Sequence, residues 1–281
     1  MLDKKTIFSS KTDTSLIDPL THSEIPPVLY KYRDSENSDH LKIIENLELF
    51  FSSPKKFNDP FDCKIPVKYQ MFADNPELAK AHVADFLNRN PDLFQGQNRE
   101  EIINNVPNTH LVDRDWLIKH EQDTTNQLND DIGVLCLSEE FDNILLWSHY
   151  GQCHRGFCLG IDFAKLVDSS DFATGGPVHY TNIYPVLSPF EDGLTNIYTQ
   201  IFYKSLVWAY EKEYRLLKMR FANKTTAIKP DVIKSIYLGL SIDPAMKRKI
   251  IEISESNLPT TQIFQMVKSP GKFSVNAVPL P

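Results

Sequence analysis

Two acids, Glu211 and Glu213, stand two positions apart in Trp208-Ala-Tyr-Glu-Lys-Glu-Tyr-Arg215. The apolar run that follows, Tyr214 to Lys218, reads as a buried strand. In a strand, residues two apart share a face. Both carboxylates would then enter one cleft. Ionised groups resist burial, so stability explains acids at this place poorly. A site that steadies a developing positive charge explains them better. The alternative is a set of surface ion pairs with Lys212, Arg215 or Lys218.

The elements that must position these acids follow from pattern. Pro27 to Arg33 is a β-branched and aromatic run after a proline pair, and reads as the first strand. Asp39 is expected to cap a helix over Leu41–Leu47. A second strand over Glu48–Ser53 stops at Pro54. From about Asn75 to Asp131 the pattern is helical, opened by Asn75 at the cap and Pro76 in the first turn. Further helices are expected near 98–105 and 111–130. Strand character returns over Ile132–Ser138, a short helix spans Asn143–Tyr150, and strands follow at Gly156–Asp162 and Pro177–Tyr180. A helix is expected over Leu194–Trp208. After the acidic strand come a strand at Ser235–Gly239, a helix capped by Asp243, and strands near Gln262–Val267 and Phe273–Val278. Strands interrupted by helices without strict alternation indicate an α+β fold with a mixed sheet. The expected organisation is an N-terminal mobile arm over 1–26, then one domain over 27–281 with a helical insertion at about 75–131.

Bulk properties set limits. The chain has 281 residues, 41% hydrophobic and 24% charged, with a formal net charge of -7. That balance argues against a non-specific nucleic-acid binder, which usually carries a basic face. No apolar run is long enough to span a membrane, and the N-terminus lacks the apolar core of a signal peptide. The expected location is the cytoplasm, or a host cell reached by secretion without a cleavable signal peptide. The four cysteines, Cys63, Cys136, Cys153 and Cys158, form no C-x-x-C pair. They read as free thiols rather than metal ligands, and no metal is expected.

Several blocks carry a resemblance. They are Leu29-Tyr-Lys-Tyr-Arg33, then Phe50-Phe-Ser-Ser-Pro-Lys-Lys-Phe-Asn-Asp-Pro-Phe-Asp62, then Leu135-Cys-Leu-Ser-Glu139 leading to Leu146-Trp-Ser-His-Tyr-Gly151, and Lys204…Trp208…Glu213-Tyr-Arg215. Over roughly 28–240 the chain resembles a widespread bacterial family known only as a domain of unknown function. The order of its parts is similar to a mono-ADP-ribosyltransferase core: a first strand with a basic NAD-binding residue, a strand with a hydroxyl or aromatic residue, and a catalytic Glu on a late strand. Some secreted effectors that modify host metabolic enzymes look like members of this group.

The resemblance implies roles for particular residues. NAD is the co-substrate, and the acceptor is a protein side chain, arginine by analogy with enzymes carrying a Glu-x-Glu pair. The acceptor protein would be a host metabolic enzyme such as a dehydrogenase. Glu213 would steady the sugar cation that forms as nicotinamide leaves; removing such a group costs about 3–4 kcal/mol of barrier. Glu211 would orient or deprotonate the incoming nucleophile, a guanidinium for an arginine acceptor. Arg33 would grip the pyrophosphate through its planar fork. Lys31 shares the strand face of Arg33, with Tyr32 on the opposite face. Ser52, Ser53 or Ser138 would serve the nicotinamide end, and one sequence does not choose among them. Phe57 and Asn58, in the loop to Asp62, would close over the cofactor, or the loop is an Asx-turn plug. Trp147, His149 and Tyr150 form a polar-aromatic cluster that either contacts NAD or belongs to the core. His154-Arg155-Gly156 is a weak phosphate signal.

Two other classes compete. One is a non-catalytic interaction module of a toxin or defence system. The other is a metal-dependent hydrolase or nuclease using Asp59, Asp62 and Glu211 or Glu213. No Gly-rich phosphate loop supports a kinase or dehydrogenase.

Overall fold

The computed structural model describes residues 26–169 and 174–281. The arm expected at 1–26 lies, apart from residue 26, outside the described residues. In chain order the strands are β1 (Val28–Arg33), β2 (Glu48–Phe51), β3 (Gly133–Ser138), β4 (Phe157–Asp162), β5 (Thr174–Pro177), β6 (His179–Thr181), β7 (Tyr203–Ser205), β8 (Glu213–Lys218), β9 (Lys224–Ala227), β10 (Ile233–Leu238), β11 (Gln262–Lys268) and β12 (Val275–Pro279). The α-helices are α1 (Ser38–Glu45), α2 (Met71–Asp74), α3 (Pro76–Arg89), α4 (Arg99–Asn105), α5 (Arg114–Asp131), α6 (Ile144–His149), α7 (Phe163–Ser169), α8 (Gly193–Phe202) and α9 (Pro244–Asn257). The expected α+β class with a mixed sheet is what the chain adopts. It forms two compact units: residues up to Ser53 with Asp131–Val178 and Val207–Pro281, and Pro54–Asp130 with His179–Leu206.

The first unit is built on an eight-stranded sheet in the order β12-β11-β10-β4-β1-β3-β8-β5. Its neighbours run antiparallel except β10 and β11. Alternation along the strands feeds two cores. Leu29, Leu135, Leu159, Ile236 and Tyr214 gather in one with Leu41 and Ile44 of α1 and Ile250 of α9. Tyr32, Cys158, Tyr237 and Met266 gather in the other with Leu146 and Trp147 of α6. Apolar area removed from water at roughly 25 cal/mol per Å² makes these two layers the main stabilising term. Asn37 caps α1, its side chain accepting from the Asp39 amide. Asp39, expected at the cap, sits in the first turn instead. The α9 cap at Asp243 matches expectation, accepting from the amides of Ala245 and Met246.

One feature of the sheet bears on chemistry. β1 pairs with β4 at six positions, Val28↔Asp162 through Arg33↔Phe157. It pairs with β3 at the single position Tyr30↔Ser138. Beyond that point the Lys31 ammonium donates to the Cys136 carbonyl at 2.6 Å, taking the place of a backbone ladder bond. Gly156, at the mouth of β4, admits the close approach of β1: a Cβ there would lie 2.0 Å from the Arg33 carbonyl oxygen.

The second unit takes in the helical stretch read over 75–131, starts already at Pro54 and adds His179–Leu206. Asn75 caps α3 and Pro76 opens it. Phe72, Ala79, Val106 and Leu117 make its core. Buried Glu121 accepts from the Gln70 backbone and side-chain amides, both at 2.7 Å. Two sequence expectations are corrected around its later segment. The helix drawn to Trp208 ends at Phe202, and Tyr203–Ser205 leaves to pair in parallel with His179–Thr181. The strand drawn over Pro177–Tyr180 is divided between β5 and β6. Both changes arise from pairing between distant segments, which local propensity does not contain.

Candidate functional site

The candidate residues lie on β1, β3 and β8, consecutive in the sheet. Tyr30 pairs with Ser138, so Lys31 and Arg33 alternate onto the other face, the one that carries Leu29, and lie further along β1. Along β3 and β8 the register is Ser138↔Glu213, Leu137↔Tyr214 and Cys136↔Arg215. Alternation therefore sets Ser138, Glu213, Cys136 and Arg215 on one face, while Leu137 and Tyr214 enter the core on the other. Glu213 and Arg215 are buried. They form a two-point ion pair, Nε to Oε1 at 2.8 Å and a terminal nitrogen to Oε2 at 2.9 Å. Such bidentate pairing is the strongest geometry open to these groups. The surface ion pair posed as the alternative for Glu213 is thus a buried one, made with Arg215.

Glu211 does not lie in that strand. It ends a 3-10 turn over Leu206–Glu211, and Lys212 takes a left-handed backbone with φ 41° before β8 begins. The strand-alternation argument for two acids on one face is therefore corrected. Glu211 is buried and accepts from the Tyr150 hydroxyl at 2.8 Å. Its backbone carbonyl accepts from the Ser138 hydroxyl at 2.7 Å. Ser138 in turn accepts from the Glu140 amide, and Asn143 donates to the Tyr210 carbonyl. These bonds stitch the end of β3, the start of α6 and the turn before β8 into one frame.

The basic side of the site is on β1. Lys31 and Arg33 are part-buried. Neither has a carboxylate within ion-pair distance among the described residues, and the Arg33 Nε is buried with no hydrogen-bond partner. Burial, with Arg33 nearby, pushes the Lys31 ammonium down to about 8. Burial lowers Arg33 to about 10, which still leaves it charged at neutral pH. Burial and then Arg33 also hold His40, on α1, below the ordinary imidazole value. Burial, then the neighbouring Glu213, pushes the Cys136 thiol far up. Unmatched buried cations are costly, and an anion would relieve them. The orphaned Arg33 Nε is a donor without an acceptor among the described residues.

The other expected site residues divide clearly. Tyr32 is in the core, its hydroxyl donating to the Glu140 carbonyl and its ring edge-on to Trp147. Trp147 is fully buried, its indole N–H used by the Phe141 carbonyl at 2.7 Å. Neither presents a surface to a cofactor; they hold α6 against the sheet. Ser52 bridges Val134, at the far end of β3. Val134 and Ser138 are four residues apart, about 13 Å along a strand. Ser138 is thus the serine beside the acids, and Ser52 and buried Ser53 lie elsewhere. His149 is exposed, its ring within 6.2 Å of Trp208 and of Tyr150. Phe57, half-buried, and Asn58, exposed, belong to the second unit. There Asp59 accepts from the Phe61 amide, the Asx turn posed as the alternative for that loop. His154 stacks on Trp147 rather than on an anion.

Sequence reasoning passed over His40 and Cys136. His40 joins the site only because α1 folds back beside the end of β1, a tertiary fact. Cys136 had a readable signal, since it alternates with Leu135 and Leu137 and so faces away from the core they enter. All four cysteines are free. Among the described residues no group of three or more His, Cys, Asp or Glu is placed to hold a metal ion. No helix there is long and apolar enough to cross a membrane.

Residues 146–216 match the model of a family described as a protein of unknown function, DUF2971. The matched stretch runs from α6 into β8 and contains Tyr150, Glu211, Glu213 and Arg215. The resemblance to a domain-of-unknown-function family is borne out over that stretch. No curated protein and no solved structure matches the chain.

Proposed function

We propose that the chain is an NAD-dependent mono-ADP-ribosyltransferase, with an ADP-ribosyltransferase-like sheet, acting on a protein side chain, arginine by the analogy above. The observation that carries the reading is the part-buried Arg33 guanidinium, orphaned at its buried Nε, on the strand beside the pair that carries Ser138 and Glu213. The sheet order supports it too, since the basic, serine and acidic strands are consecutive. NAD would supply a ribosyl group whose nicotinamide bond breaks with positive charge on the sugar. Arg33 and Lys31 hold the pyrophosphate by charge-assisted hydrogen bonds. Arg215 fixes the Glu213 carboxylate, which would steady the positive charge on the sugar. Glu211, oriented by Tyr150, takes the acceptor's proton. Ser138 keeps Glu211 in place through its carbonyl. The acceptor protein, a host metabolic enzyme in the effector reading, is part of the proposal.

The test is transfer of label from biotinylated NAD to proteins of a lysate, with labelled sites located by mass spectrometry. Glu213→Gln should abolish transfer while NAD still binds. Full transfer by a folded Glu213→Gln protein would end the assignment. The bidentate Glu213–Arg215 pair favours a second reading, a purely structural acid in an interaction module. In that case Glu213→Gln loses stability, and the wild-type protein neither binds NAD nor transfers label.

A further inference from the structure

The second unit holds a cleft of its own, about 190 Å³, lined by residues of Asp59–Ile65, Thr181–Pro185 and Tyr203–Ser205. Its charged lining is Asp59, Asp62 and Lys204. Lys204 faces Asp62 at 3.6 Å, with both side chains 4% exposed. Asp59 is also 4% exposed, yet no cation is paired with it among the described residues. One of its oxygens accepts from the Phe61 amide at 2.9 Å. Among the described residues its other oxygen has no hydrogen-bond partner. Lys64 donates to the Asp59 backbone carbonyl, not to the carboxylate. Asp59 is thus the acid of the lining with no cation at ion-pair distance among the described residues. A buried carboxylate without a counter-charge is costly, so the site is completed by one cation.

The surroundings restrict what carries that cation. The rim is apolar and open: Phe61 is 63% exposed, Ile183 79% and Tyr184 52%. Phe61 and Tyr184 meet edge to face at 6.4 Å. Large exposed apolar side chains with a polar rim or centre mark interaction sites, protein contacts among them. Aromatic faces also favour the cationic head and apolar stem of arginine or lysine. We infer that this cleft docks a segment of a partner protein, seating one basic side chain on Asp59 with apolar neighbours against Phe61, Ile183 and Tyr184. This inference is independent of the NAD reading and needs nothing from the first unit.

The experiment uses the full chain and labelled degenerate peptide pools with a fixed central arginine, lysine or citrulline, the last isosteric with arginine but neutral. Binding is read by fluorescence anisotropy. The basic pools should be retained at least fivefold over the citrulline pool. Asp59→Asn should erase that preference without lowering the melting temperature, because the asparagine oxygen still accepts from the Phe61 amide. Phe61→Ala should weaken the basic pools several-fold. Equal binding of basic and citrulline pools would overturn the inference, as would an Asp59→Asn protein that keeps the preference. Competition by free arginine amide at the concentration where the peptide binds would also overturn it, by marking a small-molecule site.

Discussion

Buried charges sit on two neighbouring regions of the sheet, and they are treated in opposite ways. On β8, Glu213 and Arg215 satisfy one another in a two-point pair. On β1, Lys31 and Arg33 have no carboxylate at ion-pair distance among the described residues, and one buried guanidinium nitrogen has no partner at all. A matched pair stabilises through its partner. Cations without a counter-charge burden the fold. The contrast separates the charge that holds geometry from the charge to which the proposed function assigns an anion.

The largest effect should come from breaking the matched side. Arg215→Ala strands a buried carboxylate and should cost about 3–5 kcal/mol of stability, read by chemical denaturation. A loss below about 1 kcal/mol would mean that the pair is not buried as described. The unmatched side should respond in the other sense. Arg33→Met should leave stability unchanged or raised, yet weaken NAD binding by about 1.5–3 kcal/mol, roughly ten- to a hundredfold. A protein that loses several kcal/mol on Arg33→Met would show that the guanidinium is structural.

Acidity sharpens the same contrast. Lys31 titrates near 8 in the folded chain against an ordinary 10.5. Between those values the unfolded chain keeps a proton that the folded chain has released, so this residue's contribution makes stability rise with pH across that window. The expected size is on the order of 1–3 kcal/mol, taken as the difference between wild type and Lys31→Met. Arg33, His40, Cys136, Cys158 and Glu213 face or influence the same ammonium, and the difference measurement cancels most of their own titration. Anion affinity should fall as pH rises through 8. The smallest effect belongs to Tyr150→Phe. It removes one hydrogen bond to Glu211 and should cost about 1 kcal/mol.

Much of the sheet was legible because its strands alternate and its helices carry caps. Val28–Arg33, Gly133–Ser138 and Phe157–Asp162 match their expected bounds closely, and Asn75 and Asp243 cap where their side chains predict. What local patterns do not encode is pairing at a distance. Tyr203–Ser205 continues a helical pattern in sequence but leaves the helix for a strand partner at His179–Thr181. Lys204 in that strand is buried against Asp62, which no window of the sequence contains. At the site, the face shared by Lys31 and Arg33 was readable from strand period alone. The separation of Glu211 from Glu213 was not, because it depends on a left-handed Lys212 that no glycine or asparagine announces. The choice of Ser138 over Ser52 and Ser53 required the register of β3 with β8.

The most direct measurement is calorimetric titration of NAD into the wild-type chain and into Arg33→Met, at pH 7 and at two salt concentrations. The account predicts saturable one-site binding to the wild type that weakens with salt and is lost, by tenfold or more, in a fully folded Arg33→Met. No heat of binding in the wild type, or equal affinity in both proteins, would contradict it.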